Sequence, residues 1–239
     1  MLERWLSPRW LDPSRLAEDA RACAHGRWLV VDGLLREEAL ARIDADFARR
    51  RFAPDNEGLP YDSTSSRVAP DDALAELFYA PAWMRWLHRA LDEPEPEVCA
   101  LTVAARIHPP DARGFWPHVD DLPGIPRRLA VLLYLDPGWR AADGGLLQRW
   151  QALPTRPGDE PMRWADRERE HLGFLEERRE LVLELGGPWN LPVTRLRLLD
   201  QVVPERNRAV LIGLHPQQAV HSVTPSHGRA RRAVLQWVA

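Results

Sequence analysis

Two histidines and an aspartate carry the strongest chemical signal in this 239-residue chain. His118 and Asp120 stand two apart in the run Trp116-Pro117-His118-Val119-Asp120-Asp121, and His221 opens His221-Ser222-Val223-Thr224-Pro225 far downstream. Residues i and i+2 of a strand face the same way, so a His-x-Asp pair on a strand aims an imidazole and a carboxylate at one point. Neutral imidazole and carboxylate suit Fe(II) and similar divalent ions. Two histidines with one carboxylate hold such an ion by one face and leave the opposite face open.

The third donor must come from another strand, and His215, His221 and His227 compete for it. His221 is preferred because Arg231 follows it across the turn at 226–228, in a new strand segment that ends at Trp237. A guanidinium buried deep in a barrel needs an anion. The distal carboxylate of a dicarboxylic acid fits its bidentate fork. His215 and His227 read as turn or surface histidines. Arg229 and Arg232 read as strand-end charges, because Arg232 must face opposite to Arg231. Asp121 reads as an outer-sphere group or an exposed carboxylate, and Phe115 and Trp116 as pocket wall or as core.

The elements that must position these groups fall into two parts. Residues 1–95 read as a helical support region packed on the core. It has a capped amphipathic helix from Ser14 through Cys23, a short strand at 28–31, a helix at 36–51 with Leu40, Ile43 and Phe47 on one face, and short helices at 71–79 and 81–91. Residues 96–239 break into short apolar runs punctuated by Pro, Gly and Asp, at 98–107, 128–135, 145–150, 196–203, 209–214, 219–223 and 231–238. Many short strands of this kind predict a sandwich or jelly roll within a single domain. An excursion at 151–194 interrupts them. Its charged stretch at 166–180 fits a helix with a narrow apolar stripe, read as a solvated surface segment or as a lid, with Trp164 and Trp189 near its ends.

Composition narrows the function classes. The chain is 45% hydrophobic and 28% charged, with a net charge of −3. No global basic field attracts nucleic acid, and the acidic balance weakly disfavours a polyanionic substrate. All 32 basic residues are arginine, which removes lysine Schiff-base chemistry. Cys23 and Cys99 lie far apart, so neither a disulfide framework nor a zinc-thiolate site is expected. No apolar run approaches membrane-helix length, and no signal-peptide pattern opens the chain. The expectation is a soluble, cytoplasmic protein with no membrane or nucleic-acid partner.

From His108 to Trp237 the sequence resembles the prolyl 4-hydroxylase-like branch of the Fe(II)/2-oxoglutarate-dependent dioxygenases. The residues that carry the resemblance are His118-Val119-Asp120-Asp121, Arg128 with the run to Tyr134, Leu135-Asp136-Pro137-Gly138-Trp139 and Gly144-Gly145-Leu146. They continue through Val203-Pro204-Glu205-Arg206-Asn207-Arg208, His221-Ser222-Val223-Thr224-Pro225, Gly228, Arg231 and Trp237. The resemblance implies a double-stranded β-helix (jelly roll) core, mainly β with flanking helices. It implies Fe(II) on His118, Asp120 and His221, with 2-oxoglutarate and dioxygen as cosubstrates. It places Arg231 on the distal carboxylate of 2-oxoglutarate, Tyr134 beside that carboxylate, and His108 where many relatives have a tyrosine near the cosubstrate. Three protein donors leave three positions on an octahedral ion, enough for two atoms of 2-oxoglutarate and for dioxygen. The implied reaction yields succinate and CO2 and hydroxylates an unactivated C–H bond of an amino acid, peptide or natural product. The carboxylate at Asp120 favours hydroxylation over halogenation, which in this superfamily goes with a small residue there. A non-catalytic metal-binding sensor on the same scaffold is the alternative; a cupin-type metal enzyme leaves Arg231 unexplained.

Overall fold

The computed structural model describes residues 2–15, 18, 28–54, 62–69, 71–95, 101–120, 127–163, 171–185, 191–214 and 219–239. The reading of a helix through Cys23, and those of Asp121, Trp164, Trp189 and His215, lie outside these residues, as does Cys99.

β-Branched and leucine-rich runs form the strands. In chain order they are β1 (Trp28–Asp32), β2 (Ala53–Pro54), β3 (Thr64–Arg67), β4 (Leu101–His108), β5 (Phe115–His118), β6 (Leu129–Tyr134), β7 (Leu147–Leu153), β8 (Met162–Arg163), β9 (Glu180–Leu185), β10 (Leu191–Val202), β11 (Arg208–Gly213), β12 (His221–Val223) and β13 (Arg231–Val238). The α-helices whose bounds are described are α1 (Glu37–Arg49), α2 (Ala73–Phe78), α3 (Pro81–Ala90) and α4 (Phe174–Glu177). No helix among the described residues is long and apolar enough to cross a membrane.

The strands make two facing sheets, the jelly roll expected from the sequence. The major sheet runs β1-β11-β6-β13-β4-β3-β2 and the minor sheet β5-β12-β7-β10-β9-β8. Alternation sorts the side chains of the major sheet between two layers. Val103, Ala105, Leu129, Val131, Leu133, Leu211 and Val234 pack against Leu40, Ile43, Phe47, Leu77, Trp83 and Leu87 of the helical layer. Ala130, Tyr134 and Ala233, on the opposite face, meet Leu147 and Val202 of the minor sheet. Gln236 belongs to the helical side. Its amide accepts from Trp83 Nε1 at 2.8 Å and donates to the Phe78 carbonyl at 2.8 Å.

The N-terminal region supplies strands as well as helices. β1 pairs with β11, and β3 pairs with β4, so residues before 95 complete both edges of the major sheet. Asn207 pins this arrangement. Its side chain accepts from Leu35 N and donates to Leu35 O, both at 2.8 Å. It does so from a left-handed backbone conformation, φ +61°, that asparagine tolerates better than most residues.

In its described part the excursion after β7 begins as an exposed irregular stretch at 154–160 and then adds structure to the minor sheet. β8 and β9 extend the minor sheet, and the helix is one short turn, α4. Leu172, Leu175, Leu181 and Leu183 are buried against Trp116, Trp150 and Leu196. The cover therefore lies on the minor sheet's outer face, away from the space between the sheets. A buried polar chain ties it down: Trp150 Nε1 donates to Ser222 Oγ, Ser222 to Gln148 Oε1, and Gln148 Nε2 to the Leu175 carbonyl, at 2.8, 2.7 and 2.7 Å.

Candidate metal and cosubstrate centre

His118 and His221 are brought together by strand pairing. They are direct partners across β5 and β12, with ring centroids 4.2 Å apart. Asp120 is not on the strand as the spacing argument assumed. β5 ends at His118, and Asp120 sits in the bend that follows. Its carboxylate still turns inward, with Oδ1 3.6 Å from His118 Nε2 and Oδ2 3.7 Å from His221 Nε2. One donor atom from each of the three buried residues lies within 4.8 Å of the others.

Backbone carbonyls set the histidine tautomers. His118 Nδ1 lies 2.7 Å from the Trp116 carbonyl and His221 Nδ1 lies 2.9 Å from that of Ala219. A carbonyl only accepts, so each Nδ1 carries the proton and each Nε2 presents a lone pair to the shared point. Burial, then the neighbouring His118, lowers the pKa of His221 to about 4. Burial would raise the Asp120 carboxyl, but the two histidines and Trp237 outweigh it and hold the pKa below the ordinary carboxylate range. Trp237 Nε1 donates to Asp120 Oδ2 at 2.9 Å. Two imidazoles with inward-facing Nε2 atoms and one ionised carboxylate, all buried, form a donor set that fits Fe(II).

These groups open onto a cavity of about 470 Å³ between the sheets. Arg231, Tyr134 and His108 line it too. Arg231 is only 5% exposed. Its Nη1 donates to the Gly145 carbonyl at 2.5 Å, while its Nε has no hydrogen-bond partner. The Tyr134 hydroxyl is likewise buried without a partner, and burial pushes its pKa up to about 12. A buried guanidinium without an anion is costly, and a buried hydroxyl without a partner adds to the cost. One carboxylate entering beside both groups removes both penalties.

Gly144 makes the Arg231 contact possible. It adopts φ +65°, and a Cβ there would stand 2.0 Å from the Pro225 carbonyl oxygen. Only glycine permits this approach, after which Gly145 N donates to that same oxygen at 2.6 Å. His108 is the register partner of Arg231, and its Nδ1 lies 3.1 Å from the Asp62 carbonyl. Burial and the charges of Arg231 and Arg106 hold its pKa well below the ordinary histidine value.

The other candidates separate cleanly. Phe115 lines the cavity with its ring 4.0 Å from that of His118, whereas Trp116 is buried on the outer face. His227 bonds Glu176 at 2.7 Å, away from the donor set. Arg229 and Arg232 pair with Asp143 and with Asp136 and Asp44, and Arg232 lies on the helical side as alternation requires. Sequence reasoning missed the role of Trp237, whose match was noted without its bond to Asp120. It also missed Arg67, Arg106 and Arg127 in the cavity wall.

The profile of the 2OG-Fe(II) oxygenase superfamily matches residues 104–239. No curated protein matches the sequence. Among solved structures, a Pseudomonas putida prolyl-4-hydroxylase is similar at TM-score 0.59 and 17% identity, covering 95% of this chain and 98% of that one. A Trichoplax adhaerens prolyl hydroxylase in complex with a hypoxia-inducible-factor peptide fragment gives TM-score 0.59 at 14% identity, covering 95% and 90%. HygX from Streptomyces hygroscopicus, with nickel, 2-oxoglutarate and hygromycin B bound, gives 0.58 at 11% identity, covering 93% and 86%. At these identities the neighbours establish the fold. This chain belongs to the 2OG-Fe(II) oxygenase superfamily. It is a 2-oxoglutarate-dependent dioxygenase whose cofactor is Fe(II) and whose cosubstrates are 2-oxoglutarate and dioxygen.

Proposed function

We propose that His118, Asp120 and His221 hold Fe(II), that Arg231 with Tyr134 holds the distal carboxylate of 2-oxoglutarate, and that the enzyme hydroxylates an unactivated C–H bond of an amino acid, peptide or small natural product. The observation that carries this reading is the unpartnered Arg231 Nε and Tyr134 hydroxyl, buried in the same cavity as the three donors.

Each side chain has a definite task. The Trp116 and Ala219 carbonyls keep the Nε2 lone pairs of His118 and His221 aimed inward. Trp237 holds one Asp120 oxygen, which fixes the plane of the carboxylate. Arg231 and Tyr134 take the far end of the dicarboxylate and so set the orientation of its other end. His108 stands beside Arg231 at the edge of that subsite. Leu147 and Val223 line the cavity on the minor-sheet side and exclude water from the reacting centre. When bound, Fe(II) with 2-oxoglutarate and dioxygen supplies the oxidising power for C–H cleavage, the keto acid leaving as succinate and CO2. A carboxylate rather than a small residue at position 120 fills a coordination position and supports hydroxylation over halogenation.

The test is succinate formation by the Fe(II)-loaded protein with a metabolite pool, alongside a mass-spectrometric search for products one oxygen heavier. Substrate-dependent succinate with such a product supports hydroxylation. Tight binding of iron and 2-oxoglutarate with no turnover under any pool would contradict it in favour of a sensor.

A further inference from the structure

His108 offers the cosubstrate subsite a hydrogen-bonding group of the wrong sense. Its Nδ1 lies 3.1 Å from the Asp62 carbonyl. A carbonyl only accepts, so Nδ1 carries the ring proton and Nε2 keeps a lone pair. Burial, with the charges of Arg231 and Arg106, keeps the ring neutral. Nε2 is then an acceptor only, and it makes no hydrogen bond with any described residue. His108 is also the register partner of Arg231 and lines the same cavity. In the reading proposed above, the distal carboxylate of 2-oxoglutarate lies beside Arg231. A carboxylate oxygen set directly against Nε2 would put lone pair against lone pair. A buried acceptor left unmet is costly as well.

A second, smaller cavity touches both residues. His108 and Arg231 line it together with Gly114, Phe115, Thr224 and Ser226. Its volume is about 10 Å³, enough for a single water molecule. Close backbone packing keeps it small: a Cβ on Gly114 would stand 2.6 Å from the Val223 carbonyl oxygen. The wall also supplies hydrogen-bond donors. Thr224 Oγ1 and Ser226 Oγ reach the carbonyls of Pro225 and Pro109 only at 3.4 and 3.3 Å. Bonds of that length are weak and leave the hydroxyl proton ready for a nearer acceptor. A water in this space accepts one such proton and has two of its own to give. Two acceptors facing each other across a water-sized gap are what a twice-donating water satisfies.

We infer that one buried water binds in the small cavity and donates both to His108 Nε2 and to the distal carboxylate of 2-oxoglutarate. His108 is thereby a positioning residue: it fixes the water, and the water orients the carboxylate on the side that Arg231 and Tyr134 leave open. The inference rests on the cosubstrate assignment above and deepens it. The Arg231 Nε and the Tyr134 hydroxyl stay available to the same carboxylate, so the two assignments do not compete. A tyrosine at position 108 could donate to the carboxylate itself. A histidine held in this tautomer needs the water to supply the protons.

The test uses the full chain loaded with Mn(II), titrated calorimetrically with 2-oxoglutarate and with 2-oxopentanoate, which has a methyl group in place of the distal carboxylate. His108→Leu removes the acceptor and His108→Gln keeps one. The expected result is that His108→Leu weakens 2-oxoglutarate about tenfold and His108→Gln about threefold or less, with the binding of 2-oxopentanoate and of Mn(II) unchanged in both. Equal losses for the two keto acids overturn the inference, because general distortion of the site would produce them. So does an unchanged affinity of His108→Leu for 2-oxoglutarate. The wild type supplies two readouts that stand even if the variants do not fold. Nitrogen NMR of the Zn(II)-loaded protein at neutral pH should show His108 Nε2 as a bare ring nitrogen, with and without 2-oxoglutarate. A crystal structure of the Mn(II) and 2-oxoglutarate complex should place a water about 2.8 Å from both Nε2 and a distal carboxylate oxygen. A proton on Nε2, a carboxylate oxygen bonded directly to the ring, or no water in the small cavity overturns the inference. If the wild type binds no 2-oxoglutarate, the functional assignment itself falls, a result separate from these.

Discussion

Trp237 Nε1 donates a 2.9 Å hydrogen bond to Oδ2 of Asp120, joining the last strand of the major sheet to the one carboxylate among the metal donors. The guanidiniums of Arg106 and Arg127 lie 5.2 and 4.7 Å from the centroid of the same indole. One side chain thus orients a donor and lines the cavity. Trp237→Phe keeps the ring's bulk and deletes the N–H. Outer-sphere partners of this kind are worth about 10- to 100-fold in metal affinity. Fe(II) titration should show a loss of about tenfold, with the melting temperature little changed. Unaltered affinity would remove Trp237 from the account.

Arg231→Gln tests the cosubstrate subsite. Removing one partner of a buried, hydrogen-bonded charge pair costs about 2–5 kcal/mol, or roughly 30-fold and upward in affinity. The dissociation constant for 2-oxoglutarate should rise by at least that factor. Fe(II) binding in its absence should stay close to wild type. A matched loss of both would mean that Arg231 supports the fold rather than the ligand.

The metal-free protein should lose stability in mild acid. His221 has a pKa of about 4 in the fold, against an ordinary value near 6.5. The unfolded chain therefore takes up the proton first, and stability falls as pH drops from about 6.5 toward 4. Denaturant melts across this window, without metal, should show a shallower pH slope in His221→Gln than in wild type. Equal slopes would indicate that His221 titrates normally in the fold.

Ser222 sits directly behind the donor His221, on the opposite face of β12. Ser222→Ala leaves Trp150 Nε1 and Gln148 Oε1 without their bonds, at about 1–3 kcal/mol for each buried group. Chemical denaturation should show a loss in that range. Limited proteolysis should cut within 171–185 sooner, because Gln148 holds Leu175 through the same chain. No change in either would show the chain to be energetically idle.

The sequence carried the site better than it carried the scaffold's edges. His118, His221 and Arg231 were legible because their chemistry is rare and they lie on strands; Asp120 was legible from its spacing to His118, although the bend after β5, not strand alternation, turns it inward. The helices over Leu40, Ile43 and Phe47 and the strands through Leu132 and Val210 were legible from periodicity. β3 was not, because Thr64-Ser65-Ser66-Arg67 has no apolar alternation; its pairing with β4 makes it a strand. For the same reason Arg67 and Arg106 did not read as one cluster, since only register brings them to a common face. The excursion misled because its charge hides a few leucines, Leu172, Leu175, Leu181 and Leu183, that suffice to seal the minor sheet.

The account stands on a shared metal point for His118, Asp120 and His221. The direct measurement is anaerobic addition of Fe(II) and 2-oxoglutarate, followed by visible absorption and thermal melting. Wild type should develop the charge-transfer band of a chelated Fe(II)–keto acid complex and melt at a higher temperature, and Asp120→Ala should do neither. No band and no shift in wild type, or the same band in Asp120→Ala, would contradict it.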